Sequence, residues 1–179
     1  IFTTSGCSSA LRISELSRST IDFGVADGTK AAIHAAGFET VFVTSSSGFS
    51  QAMAVEVFPH VSAVISRRNV GHDFGAWRDG LKFVGDVAER EAVILVNDSV
   101  YGPLSSLENV LDRCDASADI WSLTESREIE RHLQSYFVYF RNTALRSAAF
   151  QEFWSHYRIV PGRSWAVHFG ELAFSSLFR

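Results

Sequence analysis

The sequence predicts an α/β domain in three layers, with helices on both faces of a mainly parallel central sheet. Three observations predict it. Ala92–Val96 (AVILV) is an unbroken apolar run of strand length, the pattern of a strand covered on both faces. Glu39–Thr44 (ETVFVT) is a second β-branched, apolar run. Between and after such runs lie segments with helical spacing, and alternating strands and helices of these lengths build layered α/β domains.

Taken in order, Ile1–Thr4 fits a strand and Ala10–Ser19 a loop or short helix, within a Ser/Thr-rich, weakly patterned first twenty residues. Asp27–Ala36 is helical in pattern, and Gly37 stands where a helix stop is expected. Strand Glu39–Thr44 ends in the polar loop Ser45–Gly48. Ser50–Phe58 reads as a short helix and Ala63–Ser66 as a short strand entering the loop Arg67–Asp73. Phe74, Trp77, Leu81 and Val84 recur every three or four residues, which predicts a helix over Phe74–Val84. After strand Ala92–Val96 come a helix at Leu104–Leu111 and strands at Asp119–Leu123 and Ser135–Phe140. Thr143–Tyr157 is an amphipathic helix with Leu145, Ala149, Phe150, Phe153, Trp154 and Tyr157 inward, and a last helix covers Ala166–Phe178. No internal repeat or linker divides the chain, so all 179 residues are read as one domain. With Ile1 in place of an initiator Met, the expectation is a portion of a longer protein.

Composition narrows the function classes. A net charge of −4 gives no reason to expect nucleic acid or anionic membrane as a partner. The longest apolar runs are too short to span a bilayer. Cys7 and Cys114 have no metal-like spacing and make no disulfide framework, which points to a reducing, cytoplasmic compartment. A loop ending GK[ST] is missing, as is a GxGxxG after a strand, so neither a P-loop nor a dinucleotide site is supported.

The chemistry concentrates between Arg67 and Leu104. The loop Arg67-Arg68-Asn69-Val70-Gly71-His72-Asp73 offers backbone N–H groups at a helix start and two arginines, a combination suited to phosphate. Gly71 supplies a conformation or approach that a side chain forbids. The strand Ala92–Val96 ends in Asn97-Asp98-Ser99, and open α/β sheets bind ligands outside the carboxyl ends of their strands. Asp98 is therefore the first candidate, with Ser99 beside it, for a Mg²⁺ or Mn²⁺ that shares donor phosphates with only one or two carboxylates. The plain alternatives are that Asn97 and Asp98 shape a turn and that Asp73 caps the helix after it.

Three segments, NVGHDFGAW (Asn69–Trp77), VNDSVYGPL (Val96–Leu104) and WSLTES through HLQSYFVYFRN (Trp121–Asn142), resemble the rhamnan synthesis protein F family. The likeness runs over roughly residues 22 to 178. It implies a GT-A-like, three-layer nucleotide-sugar fold and a glycosyltransferase of bacterial polysaccharide synthesis. The implied reaction moves a deoxyhexose, L-rhamnose from dTDP-L-rhamnose, with inversion onto a glycan or lipid-linked acceptor at the inner face of the membrane. Asn97-Asp98-Ser99 stands where such enzymes carry Asp-X-Asp, with one carboxylate in place of two. Under this resemblance Arg67, Arg68, Asn69, Gly71, Asp73, Asn97, Asp98 and Ser99 contact the donor, and Asp98 the metal.

Inverting transfer needs a group that takes the acceptor hydroxyl proton. Glu171, which opens ELAFSSLF, is the first choice; His132 and Glu125 are the others, against plainer readings as a hydrogen-bonding His and a solvated loop residue. Gln134 and Ser135 suit sugar hydroxyls. Trp121, Trp77 and Tyr101 could stack on sugar or base, although aromatic residues are more often core. Thr44 and Ser45 read as ordinary loop residues. The rival to an enzyme is a non-catalytic nucleotide-sugar or glycan-binding domain derived from a transferase.

Overall fold

The computed structural model describes residues 2–3, 18–23, 32–99, 105–115 and 117–178. Nine strands lie among them: β1 (Phe2–Thr3), β2 (Arg18–Phe23), β3 (Glu39–Thr44), β4 (Ala63–Ser66), β5 (Ala92–Asn97), β6 (Ile120–Ser122), β7 (Glu125–Ser126), β8 (His132–Leu133) and β9 (Phe137–Arg141). Seven form one sheet in the order β1-β4-β3-β2-β5-β9-β6, and β7 pairs only with β8. Residues 32–35 are helical (α1). They are followed by α2 (Gln51–Val57), α3 (His72–Val84), α4 (Leu107–Leu111), α5 (Asn142–Arg146) and α6 (Ala148–His156). The last helical stretch runs from α7 (Arg163–Trp165) through a π-helical segment, Ala166–Leu172, to α8 (Ala173–Ser176).

The expectation of a mainly parallel, GT-A-like sheet is corrected: the sheet is mixed. Within it three pairings are parallel, β2 with β3, β2 with β5 and β3 with β4, and three antiparallel, β1 with β4, β5 with β9 and β6 with β9. The separate β7–β8 pair is antiparallel too. The physical reason lies in the connections. A parallel return needs a crossover, usually a helix, whereas β6 reaches β9 through the β7–β8 hairpin and comes back antiparallel. An apolar run such as Phe137–Phe140 carries no mark of strand direction.

Other boundaries move for local reasons. β2 occupies residues that carry no apolar run, yet it pairs on both sides, with β3 and β5. The helix expected over Thr143–Tyr157 is two helices, because Ser147 is extended (φ −64°, ψ 144°) and its Oγ accepts from Phe150 N at 3.2 Å, capping α6. The start of the helix expected at Leu104, the strand ends at Ile1 and Thr4 and the first half of Asp27–Ala36 lie outside the described residues.

Every residue of β5 is buried, and its side chains alternate between two cores. Val93 and Leu95 join Phe74, Trp77, Leu81, Phe140, Phe150 and Phe174 on one face. Ala92, Ile94 and Val96 join Ile33, Phe38, Leu107 and Phe137 on the other. The first core is aromatic, with Phe74 at its centre: Trp77, Trp154, Tyr157 and Phe174 all lie within 6.2 Å of it, ring centre to ring centre. Trp77 Nε1 donates to Val96 O at 3.0 Å. That bond ties α3 to the carboxyl end of β5 and so aligns the two segments that carry the polar residues.

Candidate functional site

The site is built where α3 begins and β5 ends. Gly71, at φ 82°, precedes the helix, and His72 follows in the same left-handed region at φ 49°, a conformation uncommon for a residue with a Cβ. Gly71 is buried: a Cβ there would stand 2.7 Å from Ile159 Cγ2. The helix has no side-chain cap. Asp73 sits inside the first turn, where a carboxylate suits the helix dipole, and its Oδ2 accepts instead from Asn97 Nδ2 at 2.8 Å. The capping reading of Asp73 is thus replaced by a bond to the end of β5.

Asn97 is buried and completes the turn with its other end, Oδ1 accepting from Ser99 N at 3.0 Å. Asp98 and Ser99 are exposed. Burial pushes the Asp73 carboxyl up; the Asn97 hydrogen bond opposes this, the Asp98 carboxylate adds to it, the His72 ring opposes it and the Glu171 carboxylate adds to it. Three carboxylates therefore share one field. Glu171, in the π-helical segment, accepts at Oε1 from Ser135 N at 2.9 Å, which brings the segment before β9 to the same place. Beneath Glu171 and Ser135, between Phe74, Trp77, Leu95 and Phe174, is a cavity of about 10 Å³, room for about one water.

Arg67 is committed to its own loop and to α3, with Nε on Asp79 Oδ2 of the helix at 2.7 Å and Nη2 on Val70 O at 2.8 Å, while its buried Nη1 has no hydrogen-bond partner. Arg68 and Asn69 are exposed. Gln134 is tied to Thr124, its backbone N to Thr124 O at 3.0 Å and its Oε1 to Thr124 Oγ1 at 2.7 Å. Thr44 Oγ1 accepts from Ser46 N in an ordinary loop turn.

The structure separates three of the expected residues from this cluster. Trp121 packs edge-on against Phe137, with the core on the opposite face of the sheet from Phe74. Glu125 is bound by Arg127 and Arg131, its Oε2 2.7 Å from Arg131 Nε. Arg131, then Arg127, holds its carboxyl below the usual range, which weakens it as a base. His132 is buried in β8 with Nδ1 2.8 Å from Glu130 O. Glu125 and His132 instead border an open groove at the β6 edge. Tyr101 lies outside the described residues.

One residue near Asp73 was not visible as polar in the sequence. Tyr157 is buried among Phe74, Phe153 and Trp154, and its hydroxyl has no hydrogen-bond partner. Burial, with a smaller contribution from the Asp73 carboxylate, pushes the phenol up to about 12. Its place at the end of the apolar stripe expected over Thr143–Tyr157 is that of a core residue, and nothing in the spacing marks it otherwise.

No group of three or more His, Cys, Asp or Glu able to hold a metal ion is found among the described residues. No described helix is long and apolar enough to cross a membrane. The sequence profile of rhamnan synthesis protein F matches residues 41–170, which include α3, β5, β9 and the start of the π-helical segment. The chain belongs to the rhamnan synthesis protein F family. The family takes its name from rhamnan synthesis.

Among curated relatives, an uncharacterized protein, y4gN, of Sinorhizobium fredii is 30% identical over 97 residues, 51% of this chain and 25% of that protein. Virulence protein VirA of Vibrio anguillarum is 35% identical over 75 residues, 40% of this chain and 23% of that protein. The matched part of the chain thus spans about a quarter of the length of these relatives. No solved structure matches it.

Proposed function

We propose that this rhamnan synthesis protein F domain binds a nucleotide-diphosphate deoxyhexose at the carboxyl end of β5 and transfers its sugar, with inversion, to a saccharide or lipid-linked acceptor. The donor it suits under this reading is dTDP-L-rhamnose. The observation that carries the proposal is the Asp73–Asn97 hydrogen bond. It joins the start of a helix to the end of a buried strand, where Asp98 and Glu171 both act on Asp73.

Electrostatics support the following roles. Three carboxylates repel a bare diphosphate, so the phosphates need a positive partner. Arg68 is the exposed arginine of the loop, and a Mg²⁺ or Mn²⁺ that arrives with the nucleotide would take Asp98 as its protein ligand. Such a cation completes its shell with phosphate oxygens and water, which agrees with the lack of an all-protein cluster among the described residues. When bound, it would neutralise charge developing on the leaving diphosphate. In this reading Asp73 accepts from a sugar hydroxyl, and buried Asn97 orients Asp73 through the 2.8 Å bond.

Glu171 is the base of this reading. Ser135 N–H holds one of its oxygens, orienting the carboxylate, and the other takes the proton of the acceptor hydroxyl as its oxygen attacks the anomeric carbon. Direct displacement inverts that carbon and leaves no sugar on the protein. The reading is tested by incubating the protein with dTDP-L-rhamnose and rhamnose-terminated saccharides and weighing the products. One added deoxyhexose is expected from wild type, with at least a hundredfold loss in Glu171→Gln and donor binding kept. A Glu171→Gln variant that turns over at the wild-type rate excludes this role.

A second reading, a non-catalytic binding domain, is favoured by the single exposed carboxylate at the end of β5. It predicts donor binding with no added sugar on any acceptor.

A further inference from the structure

Beside the edge strand β6 runs an open groove of about 830 Å³, within the size range of small-molecule sites, about 300–1,000 Å³. We propose that this groove holds the saccharide acceptor, an inference that rests on the transferase reading above. Its lining is of two kinds. Ile120, Leu133 and Phe178 are apolar, and Glu125, Arg131 and His132 carry hydrogen-bonding groups. A pyranose has the same division, with a C–H face and a rim of hydroxyls.

Charge argues for a neutral occupant. The groove's Glu125 and Arg131 are bonded to each other at 2.7 Å, so their charges largely cancel. The other carboxylate of the lining, Asp119, accepts from Thr143 Oγ1 and disfavours an anion, so a neutral ligand with hydroxyl donors fits best. Position argues for the acceptor. Ile120, Leu133, Ser175 and Phe178 line both the groove and the small cavity whose wall includes Glu171 and Ser135. Through these shared residues the groove abuts the cavity whose wall includes the proposed base, and a chain lying in it would present its end toward Glu171.

An extended peptide or a second copy pairing with the free edge of β6 is the competing occupant. β6 is only three residues long, which offers few backbone bonds, while hydrogen-bonding side chains line the wall. This arrangement favours the sugar. It also gives Glu125 and His132 a task as contacts to the acceptor.

The test is saturation-transfer NMR and calorimetry with an α-linked rhamnose trisaccharide, alongside dTDP titrations of the same samples. The variants are Ala118→Trp, which fills the groove, and Arg131→Ala, whose side chain is exposed. Thermal unfolding checks each. Wild type is expected to bind the trisaccharide, Ala118→Trp to lose at least tenfold, Arg131→Ala to lose severalfold, and dTDP affinity to stay unchanged in both. If Ala118→Trp fails to fold, Arg131→Ala decides the matter. Wild-type trisaccharide affinity in the folded variants overturns the proposal. So does a wild type that binds dTDP but no trisaccharide, or a concentration-dependent dimer that Ala118→Trp abolishes. Trisaccharide binding lost in Ala118→Trp, without dTDP binding in any sample, supports the groove and fails the donor reading.

Discussion

Asn97, the last residue of β5, donates from Nδ2 to Oδ2 of Asp73 in the first turn of α3 at 2.8 Å, across 24 positions of sequence. The bond fixes where the strand end meets the helix start and holds Asp73 in surroundings that disfavour its charge. Buried groups of this kind sit where chemistry is done more often than elsewhere, and they make stability depend on pH.

The sign for Asp73 follows from linkage. Its folded-state carboxyl is raised from the ordinary 3.8, chiefly by burial, so the native protein binds this proton more tightly than the unfolded chain. Stability from this group is full below pH 3.8 and falls as pH rises through the raised folded value. Glu39 is raised too, by burial against the opposing pull of Arg90, and acts in the same direction. The comparison with Asp73→Asn isolates the first. The variant is expected to lose less thermal stability than wild type between pH 4 and pH 7. Parallel Tm–pH curves would contradict the Asp73 assignment.

Tyr157 gives a prediction of opposite character. Its hydroxyl is buried without a partner, and the phenol is raised from 10.0 to about 12. Removing an unsatisfied buried hydroxyl is neutral or favourable. Tyr157→Phe is expected to gain roughly 1 kcal/mol in urea unfolding at pH 7. It is also expected to lose less stability than wild type from pH 10 toward pH 12, the window in which the unfolded chain ionises first. A destabilised Tyr157→Phe would mean that the hydroxyl makes a bond in solution.

Gly75 tests the packing of the loop before α3. A Cβ there would stand 2.6 Å from Val70 O and 3.0 Å from Arg67 Nη2, and the backbone oxygen has little room to retreat. Gly75→Ala is expected to cost about 1–3 kcal/mol. At Gly48 a Cβ meets only Ser46 Oγ at 3.8 Å, so Gly48→Ala stays within about 0.5 kcal/mol. Equal effects of the two substitutions in chemical unfolding would contradict the geometry of the loop.

The sequence was most readable where one physical signal dominated. Apolar spacing located α3, although the helix starts at His72, two residues before Phe74, because Gly71 and His72 turn into it in left-handed conformations. An unbroken apolar run located β5, and the polar residues after it stand at the strand end as expected. β2 was not legible: RSTIDF is a short, largely polar stretch, and its place is set by hydrogen bonds to β3 and β5, which spacing does not encode. Strand direction was not legible either, since Phe137–Phe140 would read the same parallel or antiparallel. For the site, proximity in sequence misled. Glu125 and His132 precede Ser135 closely, yet the β7–β8 hairpin carries them to the β6 edge, while Glu171, 36 positions beyond Ser135, comes back to meet it.

The most direct measurement of the central claim is calorimetric titration of wild type and Asp98→Ala with dTDP-L-rhamnose, with and without Mn²⁺. The account predicts binding to wild type that strengthens at least tenfold with Mn²⁺. It also predicts no Mn²⁺ binding without nucleotide, and loss of the metal-dependent part in Asp98→Ala. Failure of wild type to bind the donor under either condition, or equal Mn²⁺ dependence in Asp98→Ala, would contradict a donor site at the carboxyl end of β5.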